Sequence, residues 1–249
     1  MNELIYHTER SIILAYLGVS NLSKDIFYLD GMSSPKIRAF LNNLCEREGT
    51  RYLEIGSWKG STLISALYAN EQMVNLAIGI DRFTVFTEAG SIVNPISFSQ
   101  NTLDPRRPPQ QKHPRECFRE NIDRFLRKPL NLKFYDDDCF SSVLIDSLKQ
   151  HHPQARINVY LYDGDHSESS QYLGFTEYDF MLDDRFVAIV DDWNWESVKV
   201  GTRRAFSDLG YKVLKEWELP AKSNSDIENW WNGLYVAVVQ KTTEKHRFP

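Results

Sequence analysis

Cysteine is scarce in this chain of 249 residues: Cys45, Cys117 and Cys139 are far apart and form no C-x-x-C pair. That spacing gives no disulfide framework or cysteine-based zinc site, and it suits the reducing conditions of a cytoplasmic protein. Basic charge is also short. Lys and Arg total 29 against 34 Asp and Glu, a net charge of −5, so nothing draws the whole molecule to a phosphate backbone and nucleic acid is not an expected partner. No apolar run approaches the ~18 residues of a membrane span, and the N-terminus lacks a basic region leading into an apolar signal core. Residues 11–19 come nearest and are too short, so no membrane partner is expected. What remains is 42% hydrophobic and 25% charged, ordinary usage for a globular protein, with a length that suits one large core.

Residues 1–50 read as a helical segment. Ser34 followed by Pro35 supplies an N-cap and a preorganised first helical residue. Residues 51–249 then read as one α/β domain. Apolar runs at 51–56, 74–80, 132–135, 157–162 and 186–190 are strand-like, and helix-forming stretches at 61–68, 116–126, 140–150 and 169–181 alternate with them. That alternation predicts a mostly parallel sheet with helices on both faces. Two further runs, 211–219 and 233–240, need no helix between them and read as a terminal antiparallel hairpin, which brings the sheet to seven strands. Residues 83–115 are too long and too rich in proline, serine and glutamine for a plain connection, and read as an inserted lid. Within it, Arg106, Arg107, Lys112 and Arg115 are better explained as a solvated surface than as a phosphate grip.

In such sheets ligands bind beyond the carboxyl ends of the strands. Those ends carry Glu54, Asp81, Asp138, Asp163, and Asp191 with Asp192. A phosphate crevice would favour glycines, lysine and free amides there. Carboxylates instead suit a cationic or hydroxyl-rich ligand, with a metal as one option. Asp81 follows Gly56 by about 25 residues, the spacing at which a carboxylate accepts ribose hydroxyls; this identifies a nucleoside without saying which. Asp163-Gly164-Asp165-His166 and Asp191-Asp192-Trp193 each follow an apolar strand. Asp163, Asp191 and Asp192 would give the hard oxygen donors that Mg²⁺ prefers. His166 lies three residues after Asp163, so a helical turn would point both the same way and set an imidazole base beside the ion.

The segment Glu54-Ile55-Gly56-Ser57-Trp58-Lys59-Gly60 resembles the first motif of class I S-adenosylmethionine-dependent methyltransferases. The pairing of Asp-Gly-Asp-His with a later Asp-Asp strand end is similar to metal-dependent small-molecule O-methyltransferases of the macrocin and mycinamicin sugar-methylating type. More distantly, it resembles catechol and caffeoyl-CoA O-methyltransferases, which carry asparagine where this chain has Asp192. The resemblance implies a Rossmann-like methyltransferase fold, with S-adenosylmethionine and Mg²⁺ as cofactors. It places Glu54, Gly56, Ser57, Asp81, Asp138 and Asp163 on the cofactor side. Among three consecutive aspartates, Asp138 is chosen because Asp138-Cys139 best fits the family's Asp-Ser pattern. It also implies Asp163, Asp191 and Asp192 as metal ligands, His166 as catalytic base, and a hydroxyl of a sugar or polyketide-type small molecule as acceptor.

Trp193, next to the acidic pair, is the expected substrate contact, since its ring offers a large apolar face with a polar handle. Trp230 and Trp231 suit core packing equally well. A nicotinamide-dependent oxidoreductase shares the strand, turn and acidic residue but requires G-x-G-x-x-G, of which only Gly56 and Gly60 are present. A silent nucleoside-binding module keeping the fold is a further alternative, and association into a homo-oligomer is left open.

Overall fold

The computed structural model describes residues 2–83, 112–127 and 129–242. Most of the expected lid, 84–111, lies outside the described residues. Three helices come first: α1 (Asn2–Tyr16), α2 (Lys24–Phe27) and α3 (Pro35–Cys45). Ser34 caps α3 as its composition requires, its side chain accepting the Ile37 N–H, with proline in the first turn. Strands and helices then alternate: β1 (Thr50–Ile55), α4 (Ser61–Leu67), β2 (Val74–Ile80), α5 (Pro114–Phe125), β3 (Leu132–Tyr135), α6 (Ser142–His151), β4 (Ile157–Tyr162) and α7 (Glu168–Thr176). A 3-10 turn (Asp179–Met181), β5 (Leu182–Val190), α8 (Glu196–Asp208), β6 (Tyr211–Leu219) and β7 (Leu234–Lys241) complete the order. None of the helices among the described residues is long and apolar enough to cross a membrane.

The seven strands form one sheet in the order β3-β2-β1-β4-β5-β7-β6. Neighbours from β3 to β5 pair in parallel, whereas β7 runs antiparallel to both β5 and β6. The expected architecture is therefore the observed one, terminal hairpin included. Alternation along each strand sorts side chains to two faces, since successive residues point opposite ways. Tyr52, Val159, Leu161, Val187, Ile189, Val236 and Val238 share one core with α1, α3 and α4. Leu53, Ile55, Tyr160, Tyr162, Ala188, Val190 and Tyr235 share the other with α6, α7 and α8.

Two elements differ from the sequence reading. Helix α8 was not expected, because its N-cap residue Trp195 makes no side-chain cap and small or polar Gly201, Thr202 and Ala205 separate its two larger inward groups, Val198 and Phe206. Gly201 is required by packing: a Cβ there would lie 2.3 Å from the Glu168 carbonyl oxygen on α7. The helix expected over 169–181 divides, its α-helical part stopping at Thr176 before the separate turn at Asp179–Met181.

Candidate functional site

The strand ends are held abreast by hydrogen bonds that continue the ladders one residue beyond the strands. Gly56 N–H donates to Ile80 O at 2.9 Å, Asp81 N–H to Tyr135 O at 3.1 Å, Asp163 N–H to Ile55 O at 2.9 Å and Asp191 N–H to Tyr162 O at 3.1 Å. The carboxyl edge of the sheet thus presents Gly56, Asp81, Asp163 and Asp191 side by side.

On the β1 side the site is made largely of backbone. Gly56 has φ +94°, and a Cβ there would lie 1.8 Å from the Asp163 carbonyl oxygen, so only glycine lets the turn pass this close to the neighbouring strand. Asp81 receives the Trp58 N–H at 2.7 Å and the Phe83 N–H on its other oxygen. Burial raises its pKa, opposed by those two amides. Each carboxylate oxygen keeps lone-pair capacity beyond its one amide bond. A turn whose backbone is bare at Gly56, beside a carboxylate with acceptor capacity left, fits a nucleoside cofactor.

Glu54 and Ser57 lie deeper than the sequence implied. Glu54 is fully buried, accepting the Tyr52 hydroxyl on one oxygen and the Thr62 hydroxyl at 2.9 Å on the other. Burial pushes its pKa up to about 7 against those hydrogen bonds. Ser57 is buried beside it. Both support the turn from beneath. Asp138 is placed beyond β3, where it accepts Arg82 at 3.0 Å and the Phe140 N–H at 2.9 Å.

A buried ion pair that the sequence reading overlooked secures the same turn. Lys59 Nζ lies 2.5 Å from Asp30 Oδ2, with the two side chains 3% and 5% exposed, and 4.3 Å from the Trp58 ring centroid. Arg38 knits the segment that brings Asp30 there, donating to the carbonyls of Ile26, Phe27, Leu29 and Gly31 and to Ser33 Oγ.

The β4–β5 side is made of charge. Asp163, Asp191 and Asp192 each offer an oxygen within 4.8 Å of the others. Removal from water is the first cause that raises the Asp163 pKa well above the carboxylate range, followed by Asp191 and Asp192; Asp191 is raised by burial and then by Asp192. Asp191 Oδ1 is buried and has no hydrogen-bond partner among the described residues. Three converging carboxylates with an orphaned oxygen fit a hard divalent cation.

His166 differs from its expected placement. Residues 163–166 form no helical turn, and the imidazole meets Asp192, with Nε2 2.6 Å from Oδ2. Its outer side stays partly open, 41% exposed, and Trp195 packs against it edge-on with ring centroids 4.2 Å apart. Trp193 does not fit its expected role as a substrate contact. It is 2% exposed and stacks on Tyr235 at 4.1 Å in the core beneath α8, because its chain direction after Asp192 turns inward. Trp195, two residues on, takes the position beside His166. Trp230 and Trp231 are buried as core residues.

No model of a known protein family matches this chain, nor does any curated protein sequence. Solved structures do. Precorrin-6y C5,15-methyltransferase from Geobacter metallireducens superposes with a TM-score of 0.53 at 13% identity, covering 89% of this chain and 97% of that one. The O-methyltransferase from Bacillus cereus, in complex with SAH, gives 0.50 at 14% identity, covering 96% and 91%. A Streptococcus mutans protein provisionally assigned as a SAM-dependent methyltransferase gives 0.51 at 12% identity over 83% of this chain, which spans about half (48%) of that longer protein. Chains provisionally assigned as tRNA and RNA methyltransferases also match, at TM-scores of 0.47 and 0.49, too low to argue from. At these identities the likeness is one of fold: this chain has the Rossmann-like fold of class I methyltransferases.

Proposed function

We propose that this protein is an S-adenosylmethionine-dependent O-methyltransferase acting on a hydroxyl of a small molecule, with a divalent cation, Mg²⁺ by donor type, held by Asp163, Asp191 and Asp192. The observation that carries this reading is the meeting of those three carboxylates, one with an orphaned buried oxygen, beside His166 at the edge where Gly56 and Asp81 lie. The fold supports the cofactor class.

The cofactor brings the methyl group as a sulfonium. A divalent cation, if held by Asp163, Asp191 and Asp192, would supply Lewis-acid polarisation of an acceptor hydroxyl. The chain's own groups do the rest. Gly56 lets the turn lie against the end of β4, and Asp81 accepts ribose hydroxyls while it keeps the turn closed through the Trp58 amide. The Asp192 carboxylate accepts the His166 Nε2 proton, which fixes the tautomer and leaves Nδ1 to take the proton from the acceptor. Trp195 packs edge-on against the imidazole and is the acceptor contact that replaces Trp193. A net charge of −5 and an acidic site favour a small, uncharged or cationic acceptor over nucleic acid.

Calorimetry with S-adenosylhomocysteine and transfer of labelled methyl to a panel of vicinal diols, catechols and hydroxy-carbonyl compounds test this reading. Binding is expected, and the turnover should be abolished by EDTA and restored by Mg²⁺. His166→Ala should keep the cofactor and lose about 10²–10⁴-fold in turnover. NADH binding in place of S-adenosylhomocysteine would make the chain an oxidoreductase. Full turnover in EDTA would remove the metal from the mechanism.

A further inference from the structure

We infer that Asn232 is a positioning residue for the acidic site: its side-chain amide holds the Asp192 carboxylate in the place from which it meets Asp163 and Asp191. The consequence for a cation rests on the function proposed above; the positioning itself rests on geometry.

Asn232 lies 40 residues from Asp192 in sequence, at the end of the loop between β6 and β7, and its Nδ2 donates to Asp192 Oδ1 at 2.6 Å. The orientation of this amide is decided by its other end, because Oδ1 accepts the Ser225 N–H at 2.7 Å, and a backbone N–H requires the oxygen there. The nitrogen must then face Asp192. With His166 Nε2 on Oδ2, the carboxylate is gripped from both sides.

The grip is needed on two counts. Any negative charge on Asp163 or Asp191 repels Asp192 at short range. The residue also has φ +58°, a left-handed backbone conformation that L-residues other than asparagine and aspartate seldom adopt and that hydrogen bonds to the side chain help maintain. His166 is partly open to solvent, so it does not enforce the position alone. Asn232 does, because the loop carrying it is braced. Asn194 N–H donates to Asn232 O at 2.9 Å and Trp193 N–H to Gly233 O at 3.0 Å, tying the two chain segments together. Asp226 gathers the Lys222 and Asn229 amides within the loop. Trp230 Nε1 donates to Tyr16 OH at 3.0 Å, Lys36 Nζ to Asn229 Oδ1 at 3.0 Å and Ser34 Oγ to Asn229 O. The N-terminal helices thus brace the loop, and the loop holds the acidic site.

A neutral amide also suits the task chemically. Lysine or arginine at 232 would orient Asp192 but cancel the negative field that draws a cation, whereas asparagine orients the carboxylate and leaves its charge available.

The test uses the full chain with Mn²⁺ alone as probe. Asn232→Ala is expected to bind Mn²⁺ about 10–100-fold more weakly than wild type, the usual loss when a group behind a metal ligand is removed. S-adenosylhomocysteine affinity should stay within about twofold, a split that general damage to the fold would not give. Should Asn232→Ala not fold, Asn232→Ser keeps a polar group in the loop but is too short to span both partners, and should lose Mn²⁺ affinity in the same direction. A crystal structure of the metal-free variant supplies the second readout, in which the Asp192 carboxylate is expected to rotate away from Asp163 and Asp191. Wild-type Mn²⁺ affinity in both variants, or an unmoved Asp192 in that structure, overturns the inference. Failure of wild type itself to bind Mn²⁺ would instead refute the metal reading and leave the positioning to be decided by the crystal structure.

Discussion

The two halves of the carboxyl edge are built on opposite principles. Around Gly56 and Asp81 the groups are backbone amides, a glycine turn and one carboxylate held in place by two N–H donors, so this half is formed before any ligand arrives. Around Asp163, Asp191 and Asp192 carboxylates converge, and burial raises the pKa of two of them, so this half disfavours full ionisation until a counter-charge binds. One half is held by shape, the other by restraint. A ligand on the first gains little structure, while a cation on the second relieves repulsion and should stabilise the fold by mass action.

The halves meet at Gly56, and the largest effect is expected there. Its missing Cβ would strike the Asp163 carbonyl oxygen at 1.8 Å, a backbone atom that cannot swing aside, and φ is +94°. Positive φ and overpacking together put the cost of Gly56→Ala at about 3–5 kcal/mol. Because Asp163 must move, Mn²⁺ and S-adenosylhomocysteine binding should both suffer. Gly60→Ala is the contrast. Its φ is +86°, but the nearest atoms are Phe118 and Ile64 side-chain ends at 3.1 and 3.2 Å, which can give, so about 1–2 kcal/mol is expected. Urea unfolding of both variants measures the difference. Equal losses would mean that the Gly56 turn can shift, and that the two halves are not locked together.

How much of this was legible in the sequence follows the same division. The strand ends were readable because each apolar run stops at an acidic residue or glycine, and chain order alone then sets Gly56, Asp81, Asp163 and Asp191 along one edge. The facing of side chains was less so. Glu54 points to the core shared with α3 and α4 because of its parity along β1 with Tyr52, a signal that was present but outweighed by the motif. Trp193 is adjacent to the acidic pair in sequence, yet the positive φ of Asp192 turns the chain so that Trp193 enters the core and Trp195 reaches His166. Asn232 carried no signal at all, since its tie to Asp192 crosses 40 residues and exists only once β7 has paired with β5.

Glu54 gives the next effect in size, and it concerns pH. Its pKa is about 7 in the folded protein against ~4.3 in an unfolded chain, so folding favours the neutral form. The stability it contributes is full below pH ~4.3 and is lost as pH rises through about 7, a change of roughly 2–4 kcal/mol. Glu54→Gln cannot ionise. Wild-type stability relative to this variant should therefore fall by that amount between pH 4.5 and pH 8, measured by denaturant unfolding at each pH. Parallel profiles would mean that the carboxylate is ionised throughout, and that the turn sits on a charge and not on a neutral group.

The smallest effect tests whether the halves act independently. Asp81 receives the Trp58 amide at 2.7 Å and the Phe83 amide on its other oxygen, and its remaining lone pairs are the proposed seat of the ribose hydroxyls. Asp81→Ala removes a charged acceptor, worth roughly 1.5–3 kcal/mol of S-adenosylhomocysteine affinity, or about 10–150-fold. The same change withdraws one of the negative groups that raise the Asp163 pKa, but the last and weakest of them, so Mn²⁺ affinity should stay within about threefold. Calorimetric titration of each probe into the same preparation makes the comparison direct. A parallel loss of both would show that the turn and the acidic site form one cooperative unit, and unchanged S-adenosylhomocysteine affinity would move the ribose away from Asp81.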